Sequence, residues 1–234
     1  MLDHQERGLR QSGHARFAIC CTAALLLQTV FCPTAKRASL SVTGVTFSDK
    51  LGGFVLEKAT GEGSMDDPFV LVERMTDSNG GTLSFQVQPG FGNPIGTQHF
   101  IGFAMIKVIE NATDLPWTAF ELELQSQLGI PSDYSDGLSF GQGSNAGRPF
   151  TASGFDQVTI MDEPYDRVQF DHGRIAIGGH VTIRFVISES QLLHEAYLLQ
   201  RPSKPVAEAP STPRSNRVLS TIVNFGEASP SARD

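Results

Sequence analysis

Paired carboxylates are the first residues in this sequence that could do chemistry. Asp133-Tyr-Ser-Asp136-Gly137 sets two of them three residues apart, ahead of a glycine. A second group, Asp162, Glu163 and Asp166, surrounds Pro164-Tyr165, with Asp171 following. Calcium takes about six to eight oxygens, which loop carboxylates and backbone carbonyls can supply. Asp133, Asp136, Asp162 and Asp166 are therefore candidate calcium ligands. The first segment does not match the loop of a helix–loop–helix calcium site, which needs ligands at alternate positions and a closing glutamate. The competing expectation is that these carboxylates cap turns or face water.

Glycoside hydrolysis also uses two carboxylates, one donating a proton and the other attacking or activating water. Glu121 and Glu123 point the same way from one alternating segment, a geometry such an enzyme could use, but also the solvent-facing half of an ordinary strand. His99, His172, His180 and His194 are far apart and form no HExxH pair, so a zinc or copper site would have to be assembled in space. A G-x-S-x-G nucleophile elbow is missing. Gly61-Glu-Gly63 and Gly141-Gln-Gly143 lack the lysine and helix of a phosphate loop. Asn111-Ala-Thr113 has the form of a glycosylation acceptor, a triplet that often arises by chance. Phe91, Phe100 and Tyr134 lie in or beside glycine-rich stretches and could stack on a sugar ring. Sugar platforms favour Trp and Tyr, whose polar handle tolerates water. With 16 Phe against 3 Tyr and 1 Trp, most aromatic residues are expected in the core.

The elements that would hold these residues are strands. Thr118, Phe120, Leu122 and Leu124 alternate with Ala119, Glu121, Glu123 and Gln125, a period of two that a helix would scatter around its circumference. Trp117 opens this strand and is expected in the core. Phe69–Glu73, the turn residues Asp77-Ser-Asn-Gly-Gly81 and the alternating Leu83, Phe85 and Val87 predict a hairpin. Phe100–Glu110 has too few polar positions for a half-wet strand and reads as central, covered on both faces. Further strands are expected at Leu138–Phe140, Phe155–Ile160, Arg167–Phe170, Arg174–Ile177, Val181–Ile187 and Ala196–Arg201, with one helical turn over Gln191–Glu195. The long connection Gly129–Gly154, rich in Gly, Ser, Asp and Asn, has the character of a binding loop or of plain irregular chain.

At the N-terminus, Arg7, Arg10 and Arg16 precede the apolar run Phe17–Cys32, broken by Pro33. This pattern describes a secretory signal cleaved near Ala35, and the run is shorter than the roughly 20 residues that span a bilayer comfortably. An uncleaved membrane anchor is the less favoured alternative. Cys20, Cys21 and Cys32 all lie in this run, so removing it leaves a mature chain without thiols. A net charge of -7 argues against nucleic acid and against an anionic membrane surface as partner. After Pro202 the composition turns to Pro, Ser, Ala, Arg and Glu, as in a disordered tail.

The segment Asn111-Ala-Thr-Asp-Leu-Pro-Trp-Thr-Ala-Phe-Glu-Leu-Glu-Leu124 resembles a phrase common in secreted bacterial β-sandwich proteins of the PEP-CTERM kind. There an Asn-x-Thr turn precedes Trp-x-x-Phe and an alternating strand. Asp136-Gly-Leu-Ser-Phe140 and Tyr197-Leu-Leu-Gln-Arg-Pro202 are similar to later strands of that family, and the likeness covers about 90 residues. The resemblance implies a secreted sandwich and transfers no functional residue. The Pro-Glu-Pro signal, terminal apolar helix and basic stop of the family are not matched, so surface anchoring is not implied.

The expectation is an all-β chain: a signal helix over 1–35, an antiparallel β-sandwich or jelly roll over 39–202, and a disordered tail over 203–234. Its expected role is that of an exported, non-catalytic structural or binding module, without membrane association once the signal is removed. A glycan, another surface protein or calcium are its candidate partners. A secreted polysaccharide hydrolase using loop carboxylates is the rival.

Overall fold

Alternation decides which residues leave water. Phe120, Leu122 and Leu124 are fully buried, as are Val181, Ile183 and Phe185, while His180 and Thr182 stay exposed. A computed structural model of the chain describes residues 37–141, 150–161, 164–191 and 194–203. The expected signal helix over 1–35, all but Ser203 of the expected tail, and Asp162 lie outside them.

Among the described residues there are fourteen strands and no helix. They run β1 (Ser39–Val42), β2 (Val45–Ser48), β3 (Phe54–Thr60), β4 (Phe69–Met75) and β5 (Gly81–Val87). Next come β6 (Ile101–Asn111), β7 (Ala119–Gln127), β8 (Ile130–Pro131) and β9 (Leu138–Phe140). The last are β10 (Thr151–Ala152), β11 (Phe155–Met161), β12 (Arg167–Gly173), β13 (His180–Glu189) and β14 (Glu195–Ser203). The larger sheet has the order β1-β2-β5-β14-β7-β12-β11, with β8 beside β7. The smaller has the order β10-β13-β6-β4-β3, with β9 beside β13. Every pairing is antiparallel except that of β4 with β6.

Both sheets contribute to one apolar core. Phe47, Leu83, Phe85, Leu122 and Leu198 come from the larger, and Phe69, Leu71, Phe103, Met105, Ile183 and Phe185 from the smaller. Phenylalanines meet edge to face across it, Phe47 with Phe69 at 5.3 Å between ring centroids and Phe85 with Phe103 at 5.8 Å. This is the arrangement the ring quadrupole prefers. β6 is central as expected, flanked by β13 and β4, and all of Ile101–Met105 is buried. Only the first half of its outer face is covered, by chain rather than by a third sheet: Gly102 lies against Asn93 and Ala104 N–H donates to Gly63 O at 2.8 Å, whereas Ile106, Val108 and Glu110 are half-buried.

The expected hairpin of Phe69–Glu73 with Leu83–Val87 is not formed. β4 belongs to the smaller sheet and β5 to the larger, so the intervening turn carries the chain from one sheet to the other. β6 then returns beside β4, which makes that pair parallel. The turn itself is present, because Asp77 O accepts from Gly80 N–H at 3.0 Å. What its residues cannot encode is the strand that receives the reversed chain. At the crossing the backbones lie close, and a Cβ on Gly80, at φ +95°, would lie 2.0 Å from Gln200 O of β14.

Arg174–Ile177 is not a strand either, and contributes a single bridge from Ile175 to Trp117. Trp117 is buried at the corner before β7, as expected. Asn111 builds that corner. Its side-chain carbonyl accepts from Thr113 N–H (3.1 Å) and Thr113 Oγ1 (2.6 Å), and its amide donates to Leu115 O (2.9 Å). Trp117 Nε1 donates to Thr113 Oγ1 at 3.1 Å. The Asn-x-Thr triplet is thus a buried corner device, and Asn111 has no exposed amide to carry a glycan.

Candidate functional site

The connection between β5 and β6, Gln88–Phe100, contains Pro89, Gly90, Gly92 and Pro94 and cannot extend either strand. It is nevertheless tied down. Gln88 N–H donates to Gly44 O (2.8 Å) and Phe91 N–H to Gln88 O (3.2 Å). Asn93 Nδ2 donates to Thr97 O (2.8 Å) and His99 O (2.7 Å). A loop already held in one conformation loses little entropy when it binds.

This loop walls an apolar hollow of about 270 Å³ lined by Val87–Gly92, Phe100, Ile101 and His194. His194 is placed there by the pairing of β14 with β5, and its carbonyl accepts from Val87 N–H at 3.1 Å. Phe91 is half-buried and rests on the core, stacked on Phe69 at 5.9 Å and edge-on to Phe103 at 6.1 Å. Phe100 is 68% exposed, the most exposed large apolar side chain among the described residues. A second hollow of about 450 Å³, lined by Thr43, Gly44, Glu62 and Ser64, shares Gln88–Phe91 with the first. One loop thus has an aromatic, apolar hollow on one side and a polar one on the other. Of the three aromatic candidates the structure brings Phe91 and Phe100 together, while Tyr134 lies outside both hollows.

The carboxylates expected to bind calcium are engaged elsewhere. Asp136 accepts from Ser126 Oγ (2.7 Å), Ser132 Oγ (2.9 Å) and Leu138 N–H (3.0 Å). Asp133 accepts from Ser135 Oγ (2.6 Å) and N–H (2.8 Å), which hold its carboxyl below its ordinary range. Asp166 is buried and accepts from Phe140 N–H (3.0 Å) and Ser139 Oγ (3.2 Å). Asp133 and Asp166 are drawn close by the bridge between Asp133 and Tyr165. Asp162 lies outside the described residues, among which no group of three or more His, Cys, Asp or Glu is arranged to hold a metal ion.

Beside this loop stands a carboxyl that sequence spacing does not single out. Glu189, at the end of β13, is 3% exposed. One of its oxygens accepts from Gln191 N–H at 2.7 Å, and the other is buried without a hydrogen-bond partner. Burial, with a further push from the charge of Asp136, raises its pKa to about 7 against the pull of the Gln191 N–H. Its side chain borders a small interior gap together with Val87 and Ile101, two residues that also line the apolar hollow.

Glu121 and Glu123 do share a face of β7, but Glu123 is not solvent-facing. Arg167 from β12 and Arg201 from β14 close over the pair from both sides. Arg167 Nε lies 3.1 Å from Glu121 and 2.9 Å from Glu123, and an Arg201 guanidinium nitrogen lies 2.9 Å from Glu123 and also bonds Glu121. Gln125 Nε2 adds a bond to Glu123 at 2.7 Å. Burial alone would raise the Glu123 carboxyl, but these bonds and charges outweigh it and hold it below its ordinary value. Two carboxylates matched by two guanidiniums form a closed cross-strand network with no base left over for catalysis.

The chain matches no protein-family model, no curated protein and no solved structure.

Proposed function

We propose that the protein is an exported β-sandwich binding module, and that the hollow of Phe91, Phe100 and His194 is its binding site for a glycan. The carrying observation is Phe100, a large aromatic ring held in water at the rim of a preformed apolar hollow. Exposed apolar surface of this kind marks interaction sites. The apolar face of a sugar ring would stack on Phe100, and Glu62, Ser64 and Thr43 across the loop would meet the hydroxyls of a neighbouring unit. The two-sheet core with its cross-sheet phenylalanines supports the sandwich, and the basic, then apolar leader supports export.

A hydrolase would need two carboxylates flanking a scissile bond. Among the described lining residues the apolar hollow has none and the polar one has Glu62 alone, so we assign binding rather than cleavage. Native electrophoresis through gels carrying soluble β-glucan, xylan or chitosan tests this. Retardation of the wild type in one of them, lost in Phe100→Ala, is the expected result. Equal mobility of both proteins in every gel would overturn the glycan assignment. Phe100 is exposed, so its truncation should leave stability within about 0.5 kcal/mol.

A further inference from the structure

The core contains an ion pair that the binding hollow does not use. β4 and β6 run parallel and send alternate side chains inward, Leu71, Glu73 and Met75 from one, and Met105, Lys107 and Ile109 from the other. Lys107 and Glu73 are both wholly buried, and Lys107 Nζ donates to Glu73 Oε1. Glu73 Oε2 has no hydrogen-bond partner, and Nζ also sits over the Phe54 ring, 5.9 Å from its centroid. Two charges taken out of water are repaid only where further hydrogen bonds satisfy them, and here one carboxylate oxygen goes without.

We propose that Lys107 and Glu73 condense into a side-chain amide that ties β4 to β6 covalently. Burial lowers the pKa of Lys107 from its ordinary 10.5, although the charge and hydrogen bond of Glu73 oppose it. Transfer of one proton from Nζ to the carboxylate gives a neutral amine facing a neutral acid, and a desolvated amine is a competent nucleophile. The Nζ lone pair then attacks Cδ of Glu73 and the C–N bond forms. The C–O bond to the hydroxyl breaks, a second Nζ proton leaves with it, and one water is released. Ammonium and carboxylate become one amide, with no oxidation or reduction and no co-reactant.

The product removes both buried charges, leaving one N–H and one carbonyl to satisfy in place of three N–H donors and two oxygens. The apolar surroundings of Met75, Met105 and Ile109 withhold the water that hydrolysis would need. Residues 37–203 contain no cysteine, so a disulfide cannot supply a tie between these strands.

Mass spectrometry of the purified full chain, denatured and digested with trypsin, tests the amide directly. The expected product joins the peptide ending at Arg74 to one that runs uncleaved through Lys107, lighter by one water than the two together. Recovery of the two peptides separate, with cleavage at Lys107, overturns the proposal. A link from Lys107 to Gln200 with loss of ammonia overturns it as well, because Gln200 is another wholly buried side chain with unpartnered polar atoms. The wild-type digest alone separates these outcomes, and Glu73→Leu, which has no acyl carbon to attack, should, if it folds, show cleavage at Lys107 restored.

Discussion

Replacing Glu189 with Gln should remove a specific loss of stability that the wild type suffers as pH rises. In the folded protein its carboxyl titrates near 7 because burial, then the Asp136 charge, disfavours the anion, and unfolded it returns to its ordinary 4.5. Between those values the folded state holds a proton that the unfolded state has released, so stability falls with increasing pH. Below about pH 4.5 both states are protonated and nothing is lost, and above about pH 7 both are ionised and the loss is complete. The span of about 2.5 pH units, at about 1.4 kcal/mol each, gives a loss on the order of 3 kcal/mol. Gln at the same place is neutral throughout and can still accept from the Gln191 N–H. Urea unfolding of both proteins at intervals from pH 4.5 to 8.5 measures the difference, and histidine titration common to both cancels. Wild-type stability should fall toward high pH relative to Glu189→Gln by about 2 to 3 kcal/mol. Parallel curves would show that this carboxyl is solvated or paired, and would refute the reasoning.

The carboxylate network gives the opposite pH dependence to Glu189. Glu123→Ala leaves Arg167 and Arg201 to share Glu121 alone and should cost about 2 kcal/mol at pH 7, less than a wholly buried pair because both arginines are partly exposed. Since the folded Glu123 carboxyl lies below its ordinary value, its contribution is full above the unfolded pKa and lost as pH falls through the folded one. Acid unfolding curves of wild type and Glu123→Gln should therefore converge at low pH. Thermal melts in millimolar calcium and in chelator should coincide, because Asp136 and Asp166 already spend both oxygens, and Asp133 one, on neighbouring hydroxyls and N–H groups. A higher midpoint in calcium would show a metal site and overturn that expectation.

Strand identity is legible wherever the period is clean. β7, β13 and the central β6 follow directly from alternation or from an unbroken apolar run. Strand partnership is not. Asp77–Gly81 looks like a hairpin turn because turn chemistry is local, whereas β5 pairs with β2 and β14, strands far away in sequence. The charge on β7 is obscured for a related reason. Glu121 and Glu123 read as a wet face, while their arginines sit on strands 44 and 78 residues downstream of Glu123. Phe91 and Phe100 are visible as aromatics near glycines, but His194 and Glu189 join them only through strand pairing. Lys107 has a usable signal, a single cation inside an otherwise apolar central strand. Its partner cannot be named from sequence, because β4 lies parallel to β6 only after the chain has crossed between sheets.

A titration followed by two-dimensional amide NMR of labelled protein, with oligosaccharides of whichever polysaccharide retards the wild type, probes the binding site most directly. Saturable shifts confined to Gln88–Gly92, Phe100–Ile101 and His194 are the predicted result. Shifts centred on Tyr134 or on the β7 arginine network, with the Gln88–Phe100 loop unmoved, would contradict it.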